Sequence, residues 1–148
     1  MNVLERVQVV PRPRSEVFEF FANAENLQKL TPPSLSFQIL SPTPIEMKPG
    51  ARIDYRIKLQ GVPMKWRTKI EAYEPGERFI DVQERGPYKT WHHTHTFRDV
   101  PGGTEIRDRV EYELPFGPLG AIAHKLFVKR QLRQIFDYRT KVMQERFG

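Results

Sequence analysis

Two histidines stand two residues apart in the segment WHHTHTF, residues 91–97. Side chains alternate between the two faces of a β-strand, so a strand here would put His93 and His95 on one face with Trp91 and Phe97. Imidazole can bind or release a proton near neutral pH and can also hydrogen-bond a ligand oxygen. Because two large aromatic residues share this face, we expect it to point into the protein.

The next predicted strand, residues 104–114, carries Asp108 in the middle of an apolar face. A four-residue loop would pair Asp99 with Thr104, and this register sets His95 directly opposite Asp108. Opposed side chains have Cβ atoms about 4.5–5.5 Å apart, which suits a carboxylate–imidazole hydrogen bond. An unpaired buried carboxylate is costly, so the pattern predicts a buried His95–Asp108 pair that could act as catalytic acid and base.

The preceding strand, residues 78–85, leaves its inward face open. If its odd-numbered residues point inward, Asp81 and Gln83 join the histidines. If Ile80 and Val82 point inward, they do not, and the apolar alternation favours neither arrangement. The inward face of this strand therefore decides how polar the predicted site is.

The polar cluster permits several interpretations. It could orient a ligand oxygen or transfer a proton, or it could be a satisfied network that only sets the strand register. It could also hold a metal ion through His93 and His95 with Asp108 or Asp81. Two histidines at this spacing in a strand are a weak metal signal, so we predict no metal site and no cofactor.

The elements that must position these residues follow from the periodicity. Turn signals separate alternating segments in a way that indicates consecutive antiparallel hairpins. The predicted elements are a strand over 2–10, short helices over 14–23 and 24–30, strands over 34–41, 51–60, 64–73, 78–85, 88–99 and 104–114, and a helix from Gly117 to the end. One apolar sheet face and one apolar helix stripe are best buried against each other. We predict one α+β domain over 1–148, in which a curved seven-stranded antiparallel sheet, with two short helices after strand one, grips a long C-terminal helix.

The C-terminal helix has two apolar stripes that do not align, one over 119–127 and one over 128–143. At 100° per residue, they lie on nearly opposite sides of a straight helix. We therefore predict a bend or break near residues 124–128. Arg139 falls on the second stripe, where it either extends its charge to solvent or anchors an acidic ligand group.

Composition narrows the function classes. The chain has 148 residues, no cysteine and a net charge of +6. Without cysteine there is no disulfide framework, zinc ribbon, iron–sulfur cluster or thiolate nucleophile. The cations are scattered, so we expect no nucleic-acid partner, and the oligomeric state stays open. No apolar stretch approaches the roughly 20 residues of a membrane span, so we expect no integral membrane part and a cytoplasmic location.

Three segments resemble one protein family. GPYKTWHHTHTF (86–97), DRVEYELPFGPLG (108–120) and the opening over 7–31 are similar to stretches of a polyketide cyclase/dehydratase-like group in the START-like, or SRPBCC, superfamily. The resemblance implies a helix-grip fold whose cavity, between sheet and helix, mostly holds a small hydrophobic molecule. It also implies that Asp81 and Gln83 face inward. Some members catalyse cyclisation or dehydration, and likeness of fold does not choose between these activities.

The predicted site is a largely aromatic cavity with few polar groups. Binding of a small hydrophobic or aromatic molecule is the first hypothesis, since it needs only a cavity and a few oriented polar groups. A cyclase, aromatase or dehydratase that uses His95 and Asp108 is the alternative. A partner-binding protein that uses the 119–127 stripe is a third. The predicted ligand-binding residues are Trp66, Asp81, Gln83, Trp91, His93, His95, Asp108, Tyr112, Phe136 and Met143.

Overall fold

The computed structural model describes residues 1–59 and 61–148. Its strands are β1 (Asn2–Val10), β2 (Gln38–Ile39), β3 (Arg52–Leu59), β4 (Val62–Glu74), β5 (Arg78–Arg85), β6 (Thr90–Val100) and β7 (Gly103–Glu113). Its α-helices are α1 (Arg14–Ala22), α2 (Leu27–Leu30), α3 (Gly117–Ala123) and α4 (Lys129–Phe147), and a π-helical turn, His124–Val128, joins α3 to α4. Gln60, predicted to end the third strand, lies outside the described residues.

All seven strands form one antiparallel sheet, as predicted. The order across the sheet is β1-β7-β6-β5-β4-β3-β2, so β2 to β7 run as a meander and β1 returns to pair with β7. Tight turns make this possible, because Gly76 and Gly102 adopt positive φ angles that glycine tolerates without strain. The meander sets β5, β6 and β7 side by side, which brings their inward-facing side chains together.

One strand is much shorter than predicted. The alternation over 34–41 indicated a full strand, but only Gln38–Ile39 pairs with β3. The preceding residues form a 3₁₀ turn, Pro33–Leu35, which ends at Ser36 in the left-handed conformation with φ 49°. Local turn geometry overrides the alternation here. The segment does not form a full paired strand, and its side chains instead line the interior of the protein.

Helix α4 packs across the sheet and completes the core. Leu132, Phe136, Met143 and Phe147 recur at helical spacing and are buried. The first two pack with aromatic residues from the middle of the sheet, and the last two pack with α1 and the adjacent strands. The predicted α+β helix-grip architecture is confirmed. Within the described part of the chain, no helix is both long and apolar enough to cross a bilayer.

The break of the C-terminal helix that was predicted as one possibility near residues 124–128 does not occur. The helix continues through these residues, but its hydrogen bonding widens into the π turn His124–Val128. A π turn takes in an extra residue and so shifts the direction of the side chains on either side of it. Helix α4 faces the sheet with the second stripe, while four apolar side chains before or within the turn are more than half exposed: Leu119, Ile122, Leu126 and Phe127.

The packing of α4 predicts which of its side chains stabilise the fold. Met143 is 1% exposed, so Met143→Ala should lower the free energy of unfolding by about 2–5 kcal/mol through lost burial and a cavity. Gln144→Ala, at the adjacent exposed position, should change it by less than about 0.5 kcal/mol. Urea denaturation of both variants measures the difference, and equal losses would contradict this placement of α4.

Candidate functional site

A cavity of about 150 Å³ lies between the sheet and α4. Most of its lining is apolar or aromatic and includes Leu35, Phe37, Ile53, Tyr55, Ile57, Leu59, Trp66, Ile70, Phe79, Tyr88, Trp91, Leu132, Ile135 and Phe136. Its more polar side chains are Thr31, Thr68, Asp81, His93, His95 and Arg139. An apolar chamber with a few convergent polar groups is the usual composition of a small-molecule site.

Four titratable side chains form a closed ring at this wall, namely Asp81 on β5, His93 and His95 on β6, and Asp108 on β7. Nε2 of His93 donates to Oδ1 of Asp108 at 2.8 Å, and Nε2 of His95 donates to Oδ2 of Asp81 at 2.5 Å. Two longer contacts close the ring, from His95 Nδ1 to Asp108 Oδ1 at 3.3 Å and from His93 Nδ1 to Asp81 Oδ2 at 3.7 Å. The imidazoles stack with 3.7 Å between their centroids. Each carboxylate therefore contacts both histidines.

The strand register explains this ring. Strands β6 and β7 pair as the sequence predicts, with His95 opposite Asp108, and β5 sets Asp81 opposite His93. The hydrogen bonds nevertheless run diagonally, because each carboxylate lies opposite one histidine and bonds the other. The expected hydrogen bond between His95 and Asp108 is replaced by a contact without hydrogen-bond geometry. Diagonal neighbours in a pleated sheet are within reach of long side chains, so direct opposition did not determine the bonded partner.

Burial and charge separate the two histidines. Burial lowers the pKa of His93 to about 4, and the nearby charge on His95 acts in the same direction against the two carboxylates. Burial also disfavours a charge on His95, but contacts with Asp108 and Asp81 outweigh it and raise the pKa of that imidazole. At pH 6.5 His93 is therefore neutral, whereas His95 is predominantly an imidazolium.

The two carboxylates keep their charges despite their surroundings. Burial alone would raise the pKa of each, but the histidines and Arg139 hold the pKa of Asp81 below its ordinary value and that of Asp108 well below it. The positive charges of His95 and Arg139 thus balance the two aspartates. The cluster is close to neutral as a whole, which allows it to lie beside an apolar cavity.

Arg139 contributes its charge from α4 without forming a close ion pair. Its guanidinium lies over the rings of Phe21 and Phe136, 5.2 and 5.5 Å from their centroids. Among the described residues, the ion pairs that Asp81 and Asp108 form within 4.0 Å are with His93 and His95 and not with Arg139. Nε of Arg139 is buried and has no hydrogen-bond partner there. Arg139 therefore lines the cavity while its Nε–H lies covered by neighbouring atoms and without an acceptor.

Six of the ten predicted ligand-binding residues line the cavity: Trp66, Asp81, Trp91, His93, His95 and Phe136. Strand β5 adopts the inward face that the family resemblance implies, since Phe79 is buried and Asp81 reaches the cavity wall. The aromatic members also contact one another: the ring planes of Trp66 and Trp91 are perpendicular, and their centroids lie 5.3 Å apart. The sheet therefore brings most of the predicted site to one chamber.

The other four predicted residues lie outside this lining. Asp108 is buried against the histidines, and Gln83 hydrogen-bonds the backbone N–H and C=O of Tyr88 at 3.0 and 2.7 Å. The Tyr112 hydroxyl hydrogen-bonds a histidine of the π turn at 2.7 Å, and Met143 packs in the core beside α1. All four point inward as expected, but alternation cannot distinguish a cavity wall from a loop contact or a packed core.

Several lining residues were not among those predicted. Thr68 shares the inward face of β4 with the predicted Trp66, and Tyr55 lies opposite Trp66 on β3. The hydroxyl oxygens of Tyr55 and Thr68 lie 3.5 Å apart. The alternation of these two strands was sufficient to predict that both side chains face the interior. Tyr88 falls in the strand predicted over 88–99, at an even-numbered position that the alternation turns away from Trp91. Strand β6 instead begins at Thr90, and Tyr88 lies buried in the preceding loop.

Asp81, His93 and His95 could also hold a metal ion, since each offers a ligand atom and these atoms all lie within 4.8 Å of one another. An ion there would replace the proton of His95, because a ligating nitrogen must be unprotonated. Asp108 would then orient both imidazoles from behind. However, the charges of the cluster already balance, and a divalent cation would add positive charge near Arg139. The arrangement suits hydrogen bonding to a ligand better than metal ligation.

The histidine pKa values predict a stability optimum near pH 6.5. Between about pH 4 and 6.5 the unfolded chain binds a proton at His93 that the native protein does not, so stability rises with pH. Above pH 6.5 native His95 keeps a proton that the unfolded chain releases, so stability falls until the pH passes its raised native pKa. Each histidine contributes a slope of at most about 1.4 kcal/mol per pH unit.

Urea denaturation at a series of pH values tests this, with one variant for each limb. His93→Gln should flatten the acid limb, and His95→Gln should flatten the alkaline limb. His92→Gln, on the opposite face of the same strand, is the control and should retain both limbs. A wild-type profile that rises steadily through pH 6.5 to 8 would contradict the raised pKa of His95.

Comparisons with known proteins agree with this fold. A family model described as polyketide cyclase / dehydrase and lipid transport matches residues 10–138. Similar solved structures include TTHA0849 from Thermus thermophilus, with 18% identity, a TM-score of 0.76 and coverage of 98% of this chain and 96% of that one. A START superfamily protein from Mycobacterium smegmatis has 14% identity, a TM-score of 0.70 and the same coverages.

One further solved structure, a nucleoside-diphosphate sugar epimerase from Corynebacterium glutamicum, is 26% identical with a TM-score of 0.69, over 96% of this chain but 28% of its own. A search of curated proteins gives no match. The family model covers most of the chain, and the sheet, its strand order and the C-terminal helix are those of the helix-grip fold. The protein therefore belongs to the polyketide cyclase/dehydrase and lipid transport family of the START-like superfamily.

Proposed function

We propose that the protein binds a small hydrophobic or aromatic molecule that carries one or two oxygen atoms. The observation that supports this is the cavity itself, in which aromatic walls surround a polar cluster with an unsatisfied guanidinium N–H. Protein interiors are normally packed without such hollows. A buried donor without an acceptor is also costly, and a movement of the Arg139 side chain toward a ligand oxygen would remove that cost.

The volume of the cavity limits the size of the ligand. A cavity of about 150 Å³ is large enough for a single benzene-sized ring. It is smaller than the range of about 300–1,000 Å³ that is common for small-molecule pockets. A one-ring ligand therefore fits the structure as it stands, and a larger one requires the cavity walls to move. Apolar burial would supply most of the affinity, at about 25 cal/mol per Å² before the cost of association.

Unpaired donors in the cavity wall indicate the polar chemistry of the ligand. Nε1 of Trp66 is buried without an acceptor in the described part of the protein, like Nε of Arg139. Both groups only donate hydrogen bonds, and Arg139 carries a permanent charge. A carbonyl or carboxylate oxygen complements them, whereas an ammonium group does not. We therefore expect a ligand with an apolar ring and an acceptor oxygen, which a carbonyl or a carboxylate can supply.

Titration with one-ring probes tests this function. Both tryptophans of the chain, Trp66 and Trp91, line the cavity, so intrinsic fluorescence should report saturable binding of benzoate and of toluene. Arg139→Gln should weaken benzoate binding by about 10-fold or more through loss of a charged hydrogen bond, and it should leave toluene binding nearly unchanged. Arg133→Gln, at an exposed position of the same helix, is the matched control. Benzoate binding that survives both Arg139→Gln and Trp91→Phe would place the site elsewhere.

A proton-transfer enzyme of the cyclase or dehydratase type is the second candidate. The opposite pKa shifts of His93 and His95 favour it, since they supply a neutral base and a protonated acid side by side. Neutral His93 would take a proton from a carbon next to a carbonyl, and His95 would protonate the leaving hydroxyl. A C–H and a C–O bond break, a C=C bond forms and water leaves. Asp108 and Asp81 hydrogen-bond the two imidazoles and would hold them in place.

A one-ring β-hydroxy ketone as substrate tests this second function. We expect water elimination by the native protein, with the rate reduced about 100-fold or more by either His93→Gln or His95→Gln, because each variant removes a proton-transfer group. Fluorescence titration should show that these variants still bind the probe, and His92→Gln should retain the native rate. Binding without elimination by the native protein would reject the enzyme and leave the binding function intact.

A further inference from the structure

An exposed apolar group surrounds the start of the C-terminal helix. Of the eleven exposed large apolar side chains in the described structure, five lie within twelve consecutive residues: Phe116, Leu119, Ile122, Leu126 and Phe127, between 55% and 80% exposed. Soluble monomers rarely expose apolar side chains so closely grouped unless the surface binds something. We refer to these five residues as the apolar patch.

The fold holds this patch outward. The π turn separates the direction of α3 from that of α4, whose own apolar side chains face the sheet. In α3 the buried residue is Gly120, which lies so close to the backbone of Pro115 that a Cβ atom would collide with it. The helix thus contacts the rest of the protein through a residue without a side chain. Its large side chains are left in water.

The patch lies within a segment that carries only positive charge. No Asp or Glu occurs between Glu113 and Asp137, whereas Lys125, Lys129, Arg130 and Arg133 all fall in this interval. All four cations are exposed, and none forms an ion pair within 4.0 Å among the described residues. Several cations of the sheet are paired, such as Arg52 with Glu84 and Arg67 with Asp54. The cations beside the patch are therefore available to an external anionic partner.

We propose that residues 116–133 bind the surface of an anionic lipid bilayer. A helix with exposed large apolar side chains and adjacent lysines and arginines has the composition of an interfacial helix, whose apolar groups enter the headgroup–acyl boundary. The cations would then lie at the level of the anionic headgroups, each attracted by the negative surface potential. Charge complementarity favours a bilayer over a second copy of this chain, because a two-fold dimer through the patch would bring two cationic segments together.

Docking in this way would bring the proposed ligand cavity close to the bilayer. His124 of the π turn is hydrogen-bonded to Tyr112 at 2.7 Å. The Tyr112 ring packs 5.9 Å from Tyr88 and 6.2 Å from Trp91, which both line the cavity. The aromatic wall of the cavity therefore lies behind the apolar patch. The proposal itself does not depend on what the cavity binds.

Co-sedimentation with vesicles tests this proposal. The wild-type protein should bind vesicles of phosphatidylcholine mixed with phosphatidylserine, bind pure phosphatidylcholine at least about 10-fold more weakly, and lose binding as salt is added. Lys129→Gln/Arg130→Gln should lower the partition coefficient by about 30-fold. Lys29→Gln/Lys65→Gln is the matched control, since it removes the same charge from two exposed positions elsewhere, and it should retain most of the binding.

A second pair of variants tests the apolar part. Leu126→Gln/Phe127→Gln should lower binding at least about 10-fold, because these side chains would no longer favour the acyl boundary. Val7→Thr/Val9→Thr, on exposed valines of β1 with similar exposure, should not. Circular dichroism must show native folding of all variants, and single substitutions replace any pair that does not fold.

Failure to bind anionic vesicles, or equal binding by both test pairs and both controls, would overturn the proposal. A dimer in analytical ultracentrifugation that Leu126→Gln/Phe127→Gln dissociates would also overturn it, because a second copy would then cover the patch.

Discussion

Two carboxylates beside an apolar cavity, one buried and one half-buried, are the constraint on which the centre of this structure depends. Asp81 and Asp108 face the interior from β5 and β7, with the two histidines of β6 between them. Burying two negative charges is tolerated only if positive charge and hydrogen bonds accompany them. His95 and Arg139 supply the charge, and the imidazole nitrogens supply the bonds. Three neighbouring strands and the C-terminal helix must therefore keep their relative positions for the cluster to remain neutral.

This requirement also gives the histidines their different character. Both are buried to the same degree, but they differ in how strongly the carboxylates offset that burial. The result is a neutral imidazole stacked on a charged one. Such a pair can orient a ligand oxygen and could also transfer protons, so the proposed binding and the proposed catalysis would depend on the same geometry. Catalysis would differ from binding in one requirement, namely that a reacting atom of the ligand comes within hydrogen-bonding distance of the histidine pair.

Helix α4 connects the cavity to the surface. One side of it carries Leu132 and Phe136 into the core and Arg139 to the cavity wall. The π turn that precedes it permits this orientation while leaving the apolar patch exposed. One helix face cannot bury both stripes, because their angular offset is too large, and the structure buries only the second. The same helical segment therefore has a buried face at the cavity and an exposed apolar patch.

The amino-acid sequence by itself determined the features that depend on neighbours along the chain. Alternation and turn residues predicted the seven antiparallel strands, and the loop length predicted the β6–β7 register. The mismatched stripes predicted a bend or break of the helix at 124–128, where the structure has a π turn in a continuous helical segment. The strand over 34–41 was predicted too long, since the 3₁₀ turn over Pro33–Leu35 and the left-handed Ser36 interrupt the alternation that indicated it.

Tertiary structure alone decided which inward-facing side chains meet. The diagonal bonding of the histidines, the unpaired position of Arg139 and the separation of Met143 and Gln83 from the cavity all depend on distances between elements far apart in the chain. Periodicity indicates which face of a strand or helix a side chain lies on. It contains no information on how far that side chain extends into the space between the sheet and α4. That distance is set by the packing of α4 on the sheet, which arises only when all the elements are in place.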